Sequence, residues 1–102
     1  MTHVLFDIGG TKTRIATSED LKELSNITKF DTSGTYATDI KTIIKGIKGM
    51  VDGDVTGLAG GIRGVLNEDK TGIQNDVPLA DWIDKDVVKA LHDEFKAPVF
   101  LE

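Results

Sequence analysis

Apolar positions cluster at the start of the chain, where Val4-Leu5-Phe6 together with Ile8 predict a mostly buried strand. Gly9-Gly10 is a hairpin-type turn signal, and Arg14-Ile15-Ala16-Thr17 resumes extended structure. Ser18-Glu19-Asp20 breaks the pattern. Residues 23–30 predict a third strand, although Leu21 and Leu24 would also suit one helical turn. After a polar link at 31–35, rich in N-cap residues, Ile40, Ile43, Ile44, Ile47 and Val51 recur at the spacing of one helical face. Lys41, Lys45 and Lys48 lie off that face, so this is the clearest helix of the chain. Gly46 and Gly49 each cost it about 1 kcal/mol relative to Ala, weakening its last turns or allowing a close contact there. Asp52-Gly53 supplies the stop. Residues 55–59 suit a fourth strand, parallel to the first because a helix intervenes.

The second half is less regular. Four glycines fall within residues 57–64 at the carboxyl end of the fourth strand, where open α/β sheets bind ligands; on local evidence alone a flexible strand exit with a bulge explains them slightly better. Val65-Leu66 and Gly72-Ile73 flank an acidic tip and predict a small outlying hairpin. Residues 74–82 read as irregular, with Trp82 a packing anchor at the start of the next helix. Asp84 or Asp81 would cap that helix, whose apolar face is Val87, Val88, Leu91 and Phe95. Lys96-Ala97-Pro98 ends it, and Val99-Phe100-Leu101 opens another buried strand. Domains rarely end on an untied apolar strand, so residues 1–102 are expected to be one domain of a larger protein, cut at its carboxyl end.

A chain of 102 residues has room for one core. With 12 basic and 17 acidic side chains the net charge is -5 and no basic block interrupts the mixture, which argues against nucleic acid or an anionic membrane as partner. The absence of cysteine excludes disulfides and thiolate metal sites. No leader-like or membrane-spanning run is evident, giving the expectation of a soluble, cytoplasmic protein.

Candidate chemistry concentrates between Asp7 and Lys12. A carboxylate at a strand end, two glycines, a hydroxyl and an ammonium group within six positions suit a polyphosphate carrying Mg²⁺. Gly9 and Gly10 let backbone N–H groups approach phosphate oxygens and permit positive φ. Thr11 can donate a hydroxyl, Lys12 supplies charge, and Asp7 could hold Mg²⁺ through its waters. The spacing is neither a Walker A loop nor G-x-G-x-x-G. A plain β-hairpin needing glycines only for its turn accounts for the same residues about as well. Asn75 offers donor and acceptor to vicinal hydroxyls, and an Asx-type turn ahead of Pro78 explains it equally. His3 and His92 belong to no ligand-spaced motif.

Asp7-Ile8-Gly9-Gly10-Thr11-Lys12 resembles the D-I-G-G-T-K phosphate motif of the ROK family, which comprises bacterial sugar kinases and sugar-responsive repressors. Residues 57–64 are similar to that family's glycine-rich loop on the sugar side, with Gly60 in place of its usual proline, and residues 75–82 to its N-L-x-x-W segment. The resemblance covers nearly the whole chain. It implies a ribonuclease-H-like (actin-type ATPase) α/β lobe, a mixed sheet of about five strands in order 3-2-1-4-5 with strand 2 antiparallel, and two main helices. It further implies an ATP-dependent sugar kinase in which Asp7 positions Mg²⁺, Gly9, Gly10, Thr11 and Lys12 cradle the phosphates, and Gly60, Gly61 and Asn75 border the sugar. Of the family's E-N-D-A motif, whose aspartate is the general base, only Glu102 is present, and the second lobe with its adenosine-binding glycines and zinc segment is missing. The isolated chain is therefore expected to be inactive. The alternative is a non-catalytic sugar-sensing domain; repressors of the family carry a winged helix ahead of this lobe, for which a first strand at Val4 leaves no room. A free-standing module that merely retains the motif is a third reading. An exposed sheet edge and an uncovered face would favour self-association, with a homodimer one outcome and aggregation the other.

Overall fold

Alternation of buried Val4, Phe6 and Ile8 with outward-facing Leu5 and Asp7 makes β1 (Thr2–Ile8) the central strand of a computed structural model that describes residues 1–102. β2 (Lys12–Ser18) returns antiparallel to it in the register Ile8 with Thr13 and Phe6 with Ile15. β3 (Ser25–Asp31) pairs antiparallel with β2. The strand reading of this segment holds, and the alternative helical turn does not form: Leu21 and Leu24 are exposed and Leu21 has a φ of 62°.

Helix α1 (Tyr36–Met50) buries Ile40, Ile43 and Ile47 against the sheet. Val51, expected on its last turn, is already extended. Gly46 provides the close approach: a Cβ there would sit 2.7 Å from the end of Ile15, whereas one at Gly49 would meet nothing within 4 Å. β4 (Val55–Ile62) then runs parallel to β1, three residues longer than its hydrophobic pattern suggests. Backbone pairing with β1 on one side and with Leu101 and Glu102 on the other carries it through the glycines. Gly60 and Gly61 therefore lie inside a central strand, and the flexible exit expected there is not found.

β5 (Val65–Leu66) and β6 (Ile73–Asn75) form the small outlying hairpin. A 3₁₀ turn (Ala80–Trp82) leads to α2 (Val87–Phe95) and to β7 (Val99–Leu101), parallel to β4. The main sheet has the order β3-β2-β1-β4-β7, which is the expected 3-2-1-4-5 once the hairpin is set aside. Both helices contribute to one core of 17 residues with Trp82 at its largest position. The opposite sheet face aligns Leu5, Ala59 and Phe100 in register, with Phe100 exposed. No helix is long and apolar enough to cross a membrane.

The helix caps differ from those expected. Asp86 caps α2 by accepting from the Lys89 N–H at 2.8 Å, while Asp84 adopts a left-handed φ of 64°. Asp81 caps α1 instead, accepting from the Tyr36 N–H at 2.8 Å across the fold. Asp39 completes that end of α1. Only 2% exposed, its carboxylate accepts from the N–H groups of Ser33 and Gly34, the Ser33 hydroxyl, and Trp82 Nε1 at 3.4 Å. A buried carboxylate survives because every lone-pair direction is used. Trp82, edge-on to Tyr36 with ring centroids 4.9 Å apart, thus ties residues 76–82 to α1 as well as sharing the core with Val87 and Leu91 of the helix that follows it.

Candidate functional site

The carboxyl ends of the parallel strands β1 and β4 meet where the Arg63 N–H donates to the Ile8 carbonyl at 2.8 Å. Open α/β sheets bind ligands outside such ends. The connection Gly9-Gly10-Thr11 leaves β1 at that point, and an account of its backbone groups defines what it can do. The Gly9 N–H is committed to the Lys12 carbonyl at 2.9 Å, closing the turn, and the Thr11 carbonyl accepts from the Thr32 N–H at 2.9 Å. Thr13, fully buried, adds a hydroxyl contact to Thr32 at 2.7 Å. The N–H groups of Gly10 and Thr11 donate to no atom of the chain. Two adjacent free amides in a tied-down turn offer two donors to an anion. Gly9, grouped with them from sequence, serves the turn and has no N–H to spare.

Neither glycine has the left-handed conformation that a hairpin signal suggests. Both are required by close approach. A Cβ on Gly9 would lie 2.8 Å from the Lys12 carbonyl oxygen; one on Gly10 would lie 2.9 Å from Pro78 Cβ and 3.3 Å from Arg63 Cδ.

Asp7 is exposed one residue before Ile8, on the uncovered sheet face, opposite Arg14 on β2 and Gly61 on β4. It forms no ion pair, unlike Lys12, whose ammonium group is engaged by Asp31 on β3. That hydrogen bond, with the attendant charge attraction, holds the Asp31 carboxyl below its ordinary range. No three His, Cys, Asp or Glu side chains converge. A cation at Asp7 would take its remaining ligands from water and phosphate, the usual arrangement for Mg²⁺. The free amides and the unpaired carboxylate thus fit a magnesium-bound polyphosphate.

Of the sugar-side candidates, Gly60 and Gly61 line one cavity. A Cβ at Gly60 would fall 2.0 Å from the Phe6 carbonyl oxygen and 2.6 Å from its ring, so this glycine accommodates β1 and its Cα faces the core. Gly61 lies in register with Asp7, and both Gly60 and Gly61, with Phe100 and Glu102, line a cavity of about 360 Å³. Asn75 is exposed in β6, opposite Val65. It does not form the Asx-type turn ahead of Pro78; Asp76 beside it instead accepts from the Leu79 N–H, three residues on, at 3.2 Å. His92 Nδ1 lies 3.0 Å from the Ala97 carbonyl at the end of α2, a structural contact.

Arg63 and Pro78, which escape a reading of the sequence, converge on Gly10, and Asp76 holds Arg63. The only signals were a single basic residue in the glycine run and an Asp-x-x-Leu spacing ahead of Trp82.

Solved structures share this arrangement of strands and helices. A glucokinase of the ROK family from Streptomyces griseus, in complex with glucose and AMPPNP, matches with a TM-score of 0.84 and 21% identity over 100% of this chain and 33% of its own. A ROK hexokinase from Thermus thermophilus matches at 0.82 and 22% over 100% and 35%. A ROK family transcriptional regulator, homologous to the E. coli MLC protein, matches at 0.78 and 18% over 98% and 27%. At these identities the likeness is one of fold, the actin-type ATPase lobe, and the chain spans about a third of the length of these proteins. No protein of curated function matches the sequence. The ROK family model, however, matches residues 4–102, and the chain belongs to the ROK family.

Proposed function

We propose that residues 1–102 are the N-terminal phosphate- and sugar-binding lobe of an ATP-dependent hexose kinase, in which a second lobe and the general base lie outside these residues. The observation that carries this reading is the pair of free N–H groups at Gly10 and Thr11, three and four residues after the unpaired Asp7 carboxylate. ATP with Mg²⁺ supplies the γ-phosphoryl group that is transferred to a sugar hydroxyl. Gly10 and Thr11 donate N–H bonds to phosphate oxygens, the Thr11 hydroxyl adds a third donor, and Lys12 exchanges Asp31 for phosphate as its partner. Asp7 orients the cation through its waters. Such fixed donors act mainly by positioning and by stabilising charge on the transferring group. Gly60, Gly61 and Asn75 border the sugar, and Gly60 also sets the close packing against β1. With the base and the opposite wall of the cleft elsewhere, these 102 residues alone turn over no ATP.

A second reading, a sugar-sensing regulatory domain, is favoured by the match to a ROK transcriptional regulator. An anion cradle with an unpaired metal-binding carboxylate beside it is chemistry a pure sugar sensor does not need. Amide NMR titration with a magnesium-bound non-hydrolysable ATP analogue separates the two. Shifts at Gly10 and Thr11 that vanish in Asp7→Ala support the kinase lobe; shifts on hexose addition alone, with nucleotide silent, support the sensor.

A further inference from the structure

The Arg63 side chain crosses the boundary between the two halves of the proposed site. Its backbone N–H is bonded to Ile8, the last residue of β1. Its Nε donates to both carboxylate oxygens of Asp76, at 3.2 and 3.1 Å. The Arg63 side chain is half exposed, whereas that of Asp76 is only 10% exposed and also caps Leu79. A nearly buried carboxylate holds its cation firmly, because losing the partner would strand a charge. The stem of Arg63 is thereby held against the glycine turn, close enough that a Cβ at Gly10 would be 3.3 Å from Arg63 Cδ and 2.9 Å from Pro78 Cβ. Gly10 is held from outside the hairpin by two segments far from it in sequence.

We propose that Arg63, anchored by Asp76, is a positioning residue that fixes the phosphate turn relative to the loop leading to Trp82, and so sets the separation of the phosphate and sugar halves of the site. The inference rests on the kinase-lobe reading for its catalytic consequence, but the strap itself is readable without any ligand. Removing the Arg63 side chain takes away its contact with Gly10, leaving Pro78 alone there, and loosens the turn closed by the Gly9 N–H. The core beneath, built on β1 and β4, is untouched.

The test has two arms. In the first, amide hydrogen exchange of the chain is followed by NMR. Arg63→Ala is expected to speed exchange at Gly9 about five- to tenfold, a half-exposed ion pair plus lost stem packing, while the amides of Leu58 and Ile43 keep their rates. Arg63→Lys, which retains stem and charge, restores most of the protection. Should Arg63→Ala also speed Leu58 and Ile43, Asp76→Asn replaces it, keeping size and the Leu79 acceptor while removing the anchor charge. Unchanged Gly9 exchange in the informative variant overturns the proposal. In the second arm, the intact protein carrying Arg63→Ala is assayed for ATP-dependent hexose phosphorylation. A fall of about tenfold in kcat with KM for ATP altered less than twofold is the expected signature of misorientation. A change confined to KM shows a binding role and overturns the positioning claim. Faster Gly9 exchange in Arg63→Ala, together with an unsubstituted intact protein that phosphorylates no hexose, refutes the kinase reading and leaves the strap standing.

Discussion

Replacing Asp39 by alanine tests how the site is held, since this carboxylate joins α1, residues 33–34 and Trp82 at one buried point. Alanine leaves the Ser33 and Gly34 N–H groups and Trp82 Nε1 without an acceptor. An orphaned buried donor costs about 1–3 kcal/mol. The Ser33 and Gly34 donors are only partly buried and water can reach them, so the lower end applies to those two; Trp82, with no exposed surface, takes a larger share. The sum is about 3 kcal/mol, which for a domain of this size lowers Tm by roughly 10–20 °C. Asp39→Asn, keeping one carbonyl oxygen, should lose about half as much. Thermal unfolding by circular dichroism, repeated in urea, measures both. A Tm within 3 °C or so of the parent for Asp39→Ala would show that the four bonds contribute nothing net, and would refute the account of how residues 76–82 are pinned beside Gly10.

Two glycines allow a contrast in opposite directions. Gly60→Ala forces a methyl group against a backbone oxygen of the central strand and should destabilise by about 3 kcal/mol, the upper end for overpacking, whereas Gly49→Ala meets open space and should stabilise by about 0.5–1 kcal/mol through helix propensity; urea midpoints with unchanged m-values check both. Lys12 supplies a pH signature. Because its hydrogen bond depresses the folded-state pKa of Asp31, the pair contributes stability above the unfolded carboxyl pKa that is lost as pH falls through the folded value, and Lys12→Met should return Asp31 toward its ordinary pKa in a carboxyl ¹³C titration. An Asp31 titration unmoved by that substitution would mean the pair is not formed in solution.

What the linear chain determined by itself is local and periodic. Alternating burial over Val4 to Ile8 and the spacing of Ile40, Ile43 and Ile47 specify strand and helix because one apolar face must leave water, and Asp7 to Lys12 can be read as a phosphate turn because all its parts lie within six residues. Tertiary structure decided everything that depends on which distant segments touch. The hydrophobic pattern could not carry β4 through Gly60 and Gly61, since glycine has no hydropathy signal and it is pairing with β1 and Glu102 that extends the strand. Asp81 caps the helix before it in sequence, Asp39 is buried under Trp82, and Arg63 is drawn to Gly10 by Asp76. A polar side chain's partner across the fold leaves no periodicity in the sequence, because hydrogen-bond geometry is satisfied by position in space, whatever the separation along the chain.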